Sequence, residues 1–195
     1  MLKHWSKLIT SDCEVVKFLD DLNIYPIFKN GRSSLTICAS RNNLPIIKNK
    51  DISTLKNITI YVRDPIDRFV SGVHTFFYLN QLKISKEILK KIDNFEIVDR
   101  HFVPQAFWLL HLCKFYQGDI ILKDVKELWD IVPCHEGPWT KNPIPWVPIT
   151  EQQKKQIKSI NYKKFTDVDY DILHKYMYKK INLLDVVKEI KNALS

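Results

Sequence analysis

No stretch of this chain holds eighteen consecutive apolar residues, so no membrane-spanning helix is expected. The opening residues, MLKHWSKLITSDCEVVKF, lack the continuous apolar run of a secretory signal. A soluble, cytoplasmic protein is the expectation. Repeats, low-complexity tracts and Gly/Ser linkers are also missing, with only four glycines in 195 residues. That length suits one domain with a sizeable core, spanning 1–195. The four cysteines, Cys13, Cys38, Cys113 and Cys134, show no CxxC spacing, and the six histidines are equally dispersed. Paired ligands at short spacing are what a zinc site requires, so no metal is expected. Isolated cysteines in settings such as LTICAS and LLHLCKF read as buried thiols.

What is present is positive charge. The formal net charge is +8, while 45% apolar and 12% aromatic residues argue for a folded chain. Such charge implies an anionic partner more than it implies a fold: nucleic acid, a phosphorylated small molecule or an acidic glycan. Lysine runs such as KKQIK, NYKKF and MYKKI read as solvated helix faces.

Along the chain, a helix is expected near 12–22, a strand near 24–28 and a helix opening around Ser33. NITIYV (57–62) reads as a buried β-branched strand. The segment DPIDRFVSGVHTFFYL then reads as a helix capped by Asp64, with Pro65 in its first turn. A helix from Pro104 to about Gln117 ends at Gly118, a third strand covers 119–125, and a short helix runs through Trp129. Residues 133–149 are Pro-rich and read as an ordered loop. Closing helices are expected near 150–159, 167–180 and 183–194. Alternating strands and helices predict an α/β layer structure around a mostly parallel sheet, with ligands at the carboxyl ends of strands.

Two such ends carry chemistry. In FKNGRSSL, Gly31 permits a tight turn and close approach of the backbone. Ser33 and Ser34 fall where a helix begins, so hydroxyls and N–H groups can converge on an anion beside Lys29. This is not the GxxxxGK[ST] pattern, because the lysine precedes the glycine. A capped helix start with a solvated lysine explains the same residues. In VRDPIDRFVSG, Ser71 lies eight residues beyond Arg63. Two helical turns cover about 7.2 residues, so arginine and hydroxyl can grip one phosphate. Arg68 is expected to pair with Asp64 at i,i+4 spacing.

Together the segments resemble a known family, the sulfotransferases that use 3′-phosphoadenosine 5′-phosphosulfate (PAPS). FKNGRSSL looks like their 5′-phosphosulfate loop, K-x-G-x-[ST]-[ST], and VRDPIDRFVSG looks like their 3′-phosphate motif, R-D-P-x-x-R-x-x-S. INYKKFTDVDYDIL is similar to the closing segment of the carbohydrate-sulfotransferase branch. The resemblance runs from Tyr25 to about Leu173 and is strong in the two motifs. It implies a P-loop-like three-layer α/β/α fold with a mostly parallel sheet, PAPS as co-substrate, no metal, and a hydroxyl acceptor such as a glycan. Lys29 would neutralise charge on the bridging oxygen; Gly31, Arg32 (through its N–H), Ser33 and Ser34 would cradle the 5′-phosphate. Arg63 and Ser71 would hold the 3′-phosphate. The family often has proline before the loop lysine, where this chain has Phe28, a difference that bears on packing.

Attack by a hydroxyl needs a proton acceptor. DRHFVPQAFWL resembles the family's D-x-H-x-x-P-Q segment, which makes His101 the leading candidate, with Asp99 and Arg100 to orient the ring or bind an acidic acceptor. His74, three residues after Ser71, competes, and Glu87 and Glu96 stay open. In PWTKNPIPW, Trp139 or Trp146 could stack on adenine, and Lys141 and Asn142 could reach a phosphate. Two other readings are kept. One is a P-loop-like kinase, against which the misplaced lysine counts. The other is a non-catalytic basic nucleotide- or nucleic-acid-binding module, for which no stacking motif or zinc finger is present.

Overall fold

The central strands form where β-branched residues cluster. In the computed structural model, which describes residues 8, 12–19, 22–132 and 147–194, β4 (Asn57–Val62) pairs in parallel with β5 (Asp119–Asp124), from Asn57↔Asp119 to Val62↔Asp124. On its other side β4 pairs in parallel with β2 (Leu22–Ile24). One six-stranded sheet results, ordered β3-β1-β2-β4-β5-β6, with β1 at Glu14–Leu19, β3 at Ile46–Lys48 and β6 at Lys180–Asn182. It is a mixed sheet rather than a mostly parallel one: β1–β2, β1–β3 and β5–β6 are antiparallel.

The helix expected over 12–22 is instead β1 (Glu14–Leu19) followed by β2. Val15 and Val16 are buried in different core clusters, which adjacent strand positions achieve and helical spacing does not. The same parity runs through β4: Ile58, Ile60 and Val62 join one cluster and Tyr61 the other. The strand expected over 24–28 ends at Ile24, although Tyr25 still donates its N–H to Thr59 O at 3.0 Å.

Helices α1 (Arg32–Arg41) and α2 (Pro65–Leu79) follow strand ends, α3 (Lys86–Asp93) and α4 (Gln105–Leu112) lie between α2 and β5, and α5 (Val125–Leu128) follows β5. Helix α2 begins as its sequence dictates, with Pro65 at the first turn and Asp64 accepting the Asp67 N–H at 2.9 Å. Helix α4 is shorter than expected and ends at Leu112. After α6 (Glu151–Ile157), the helix expected over 167–180 is broken. It becomes α7 (Lys163–Val168), a π-turn (Asp169–Leu173), a short 3₁₀ turn (His174–Tyr176) and strand β6, before α8 (Leu183–Leu194) closes the described chain. Asp169 and His174 keep helical dihedrals, and the chain leaves them at Met177 (ψ 135°), where Met177 bridges to Leu122 and Tyr178 donates its N–H to Leu122 O at 2.8 Å. Residues 133–146, with Cys134, Trp139, Lys141, Asn142 and Trp146, lie outside the described residues. Cys13 is buried, and Cys38 and Cys113 are half-buried; all three are free thiols. No helix among the described residues is long and apolar enough to cross a membrane.

Candidate functional site

Parallel pairing of β2, β4 and β5 carries their carboxyl ends to one edge of the sheet, and both motifs sit there. The first leaves β2 through an unusual backbone. Lys29 has φ 68° and Gly31 φ 79°, so two left-handed residues flank Asn30. For lysine that geometry costs about 1–2 kcal/mol, and strain of this kind needs fixed surroundings to persist. Asn30 supplies them. Buried to 3% exposure, its Nδ2 donates to Tyr61 O at 2.9 Å and to Gln105 Oε1 at 2.5 Å.

Gly31 caps α1, and no side chain completes the cap. A Cβ on Gly31 would lie 2.6 Å from Leu128 Cδ2 and 2.7 Å from Trp129 Cη2. The chain's own packing under α5 and the left-handed φ therefore account for this glycine, without a ligand. Ser33 is exposed on the first turn and Ser34 is buried. The Arg32 guanidinium lies 4.2 Å from the centre of the Phe28 ring and 4.0 Å from Glu14. Arg100 covers the same ring at 4.8 Å, and Trp108 stacks on it at 5.1 Å. Phe28 is thus a packing platform, in keeping with the expectation.

The second motif is bound to the first by α4. Gln105 Nε2 donates to Arg63 O at 2.8 Å, and its Oε1 accepts the Arg63 N–H at 2.8 Å. This fully buried side chain extends the β4 ladder by one residue while also holding Asn30. Gln105 and Ala106 in turn donate their N–H groups to Asp169, at 2.8 and 2.7 Å. Asp169 so caps α4 from sixty-four residues away.

Lys29 Nζ crosses to α2 and donates to Thr75 Oγ1 at 2.8 Å, and Thr75 donates to Ser71 O at 2.9 Å. Burial, then the charges of Arg63 and Arg68, lower the Lys29 pKa to about 8. Burial, then Lys29, lowers that of His74. Lys29, Arg63, Arg68 and His74 therefore share one electrostatic neighbourhood. The Arg63 guanidinium forms no ion pair among the described residues.

Arg68 does not pair with Asp64. It is 1% exposed and turns inward, where Nε donates to Phe28 O at 3.1 Å and Nη1 donates to Val103 O. Asp64 is left to cap α2 and to accept from Tyr170 Oη at 2.8 Å. The hydroxyl of Tyr170, which arrives from the π-turn, replaces the partner that i,i+4 spacing suggested.

His101 reaches the same place through Gly72. A Cβ there would sit 2.2 Å from His101 O, so the bare α2 backbone beside Ser71 touches the segment that carries the histidine. The ring packs edge-on against Phe28 at 5.4 Å. Its Nδ1 lies 2.5 Å from Asp99 Oδ1, which also accepts the His101 N–H at 2.8 Å. Burial raises the Asp99 pKa, but hydrogen bonds and charge from His101 outweigh it and hold the carboxyl below its ordinary value. A carboxylate on Nδ1 fixes the tautomer in which Nε2 is the proton acceptor. Glu87 is in an exposed pair with Lys91 at 2.9 Å, and Glu96 accepts from Asn94 at 3.2 Å, so each has a surface partner.

Lys29, Arg63, Ser71 and His101 were legible as candidates in the sequence. Asn30, Thr75 and Gly72 were not, and only the motif offset of Gln105 hinted at its part. No cluster of three or more metal-ligating side chains occurs among the described residues. No family model, curated protein or solved structure matches this chain.

Proposed function

We propose that this protein is a PAPS-dependent sulfotransferase with a P-loop-like three-layer α/β/α organisation. The observation that supports the reading is the joining of the two motifs at the carboxyl edge of the parallel strands, where Gln105 binds both Asn30 and Arg63 and Lys29 Nζ reaches Thr75 on α2. Burial first, and then the charges of Arg63 and Arg68, lower the Lys29 pKa there. Such a cluster is relieved by a polyanion. The two motifs give that polyanion its form, a 5′-phosphosulfate at Lys29–Ser34 and a 3′-phosphate at Arg63 and Ser71. An acceptor hydroxyl, of a glycan on this reading, attacks sulfur as the bond from sulfur to the 5′-phosphate oxygen breaks. Lys29 stabilises charge on the departing oxygen, and His101 Nε2 takes the hydroxyl proton. The products are the sulfate ester and adenosine 3′,5′-bisphosphate. Positioning and electrostatics supply most of the acceleration in such in-line transfers.

Calorimetric titration with adenosine 3′,5′-bisphosphate tests this, beside AMP and ATP with and without magnesium. Binding of the bisphosphate with loss of affinity for AMP is expected. Arg63→Ala should weaken the bisphosphate about tenfold to a hundredfold, some 1.4–2.8 kcal/mol, with the fold retained. Equal affinity for AMP, or preference for magnesium-ATP, would overturn the assignment.

A further inference from the structure

We infer that Arg68 is the positioning residue that sets the lysine of the loop and the histidine of the 99–103 segment into a single unit, an inference that rests on the sulfotransferase reading. The guanidinium comes from α2, yet both of its carbonyl partners belong to other segments. Nε holds Phe28 O, the carbonyl immediately before Lys29, at 3.1 Å, and Nη1 holds Val103 O, two residues beyond His101. Neither carbonyl is in a helix or strand, so these bonds fix backbone that no ladder fixes. The planar fork of the guanidinium can reach both carbonyls at once, which an ammonium cannot do in the same geometry.

Burial gives the arrangement its stiffness. Arg68 is 1% exposed, and its Nη2 has no hydrogen-bond partner among the described residues. A buried guanidinium in that state is costly unless an opposing charge lies near. Asp169 provides the opposing charge, and the same carboxylate holds Gln105 and Ala106 at the start of α4. The arginine and the aspartate thereby fasten the loop, the histidine segment and α4 around one buried centre. Gly72, one turn further along the same face of α2, lets the helix approach the His101 carbonyl closely. Arg68 touches no reacting group, so its effect must pass through Lys29 and His101.

Native-state hydrogen exchange on the wild-type chain tests the inference without a ligand. The hydrogen-bonded amides of the two segments, Asn30 in the loop and His101, Phe102, Val103 and Gln105 beyond it, should open together, with one free energy below that of β4 and β5. Opening of the two segments independently would overturn the proposal. In Arg68→Lys both segments should lose protection while β4 and β5 keep theirs; uniform loss, or no change, would overturn it.

A double-mutant cycle on adenosine 3′,5′-bisphosphate affinity adds a readout that a merely structural role would leave additive. Arg68→Lys should weaken binding about tenfold in the presence of Lys29 and far less in Lys29→Ala. Additive losses would overturn the coupling to Lys29. Failure of the wild type to bind the bisphosphate would sink the functional reading alone, because the exchange experiment still decides the role of Arg68.

Discussion

Two strand ends lie side by side at this site, and they start their helices in opposite ways. After β4, α2 is closed by its own residues: Pro65 occupies the first turn and the Asp64 carboxylate takes the Asp67 N–H. After β2, α1 starts from a left-handed glycine with no side-chain cap and no acidic residue in its first turn. A carboxylate at a helix N-terminus already satisfies the helix dipole and repels a second anion. On the proposed reading the first turn of α1 takes the 5′-phosphate, while the β4 end contributes side chains, Arg63 from the strand exit and Ser71 two turns on. One end offers backbone and the other offers charge. Gln105 holds them in register by binding Asn30 on one side and Arg63 on the other.

The sharpest way to break this contrast is Gly31→Ala. The new Cβ meets Leu128 and Trp129 at 2.6–2.7 Å, and φ 79° disfavours it. A loss of about 3 kcal/mol is expected by denaturant unfolding, from overpacking and left-handed strain together. A loss under about 1 kcal/mol would mean that the loop relaxes freely and that the left-handed start of α1 is not held by packing.

A smaller effect tests whether the two ends form one unit. Burial pushes the Asp169 carboxyl up to about 6, against the opposing influence of Arg68 and the α4 amides. Because the pKa is raised on folding, the contribution is fully present below about pH 4 and is lost as pH rises through about 6. The stability of wild type minus that of Asp169→Asn should fall by about 2 kcal/mol between pH 4 and 7. A difference that stays level across that window would show that the carboxylate keeps its ordinary pKa in the fold.

The smallest effect belongs to the closed end. Asp64→Ala removes a helix cap and the acceptor of Tyr170, and should cost about 1 kcal/mol in thermal unfolding. Affinity for adenosine 3′,5′-bisphosphate should hold or rise, since a negative charge beside Arg63 is removed. Weaker binding would mean that Asp64 orients Arg63, and the contrast between the two ends would need redrawing.

Much of this was legible from local patterns. NITIYV, the Asp64–Pro65 helix start, the opening of α1 and strand β5 each follow from residues a few positions apart. Segments whose fate depended on distant partners depart from what their local pattern predicts. EVVKFL became a strand because β2 and β3 flank it, and the helix expected over 167–180 ended where Met177 and Tyr178 joined Leu122 of β5. Arg68 followed the same rule: an i,i+4 carboxylate was available, but two unpaired carbonyls in the core took the guanidinium instead.

The sequence by itself determined the chemical vocabulary of the site: a lysine, glycine and serines after one strand, an arginine and a serine around another, and a histidine two residues from an aspartate. These depend on residue type and short spacing, which local sterics and helix periodicity convert directly into structure. Only the tertiary structure decided which of them meet. Parallel pairing of β2 and β4 put both motifs on one edge, Gly72 admitted the His101 backbone to α2, and Gln105, Asp169 and Arg68 bound the pieces together. Those contacts join residues separated by tens of positions. Their energies arise from burying polar groups with exact partners, which no local pattern records.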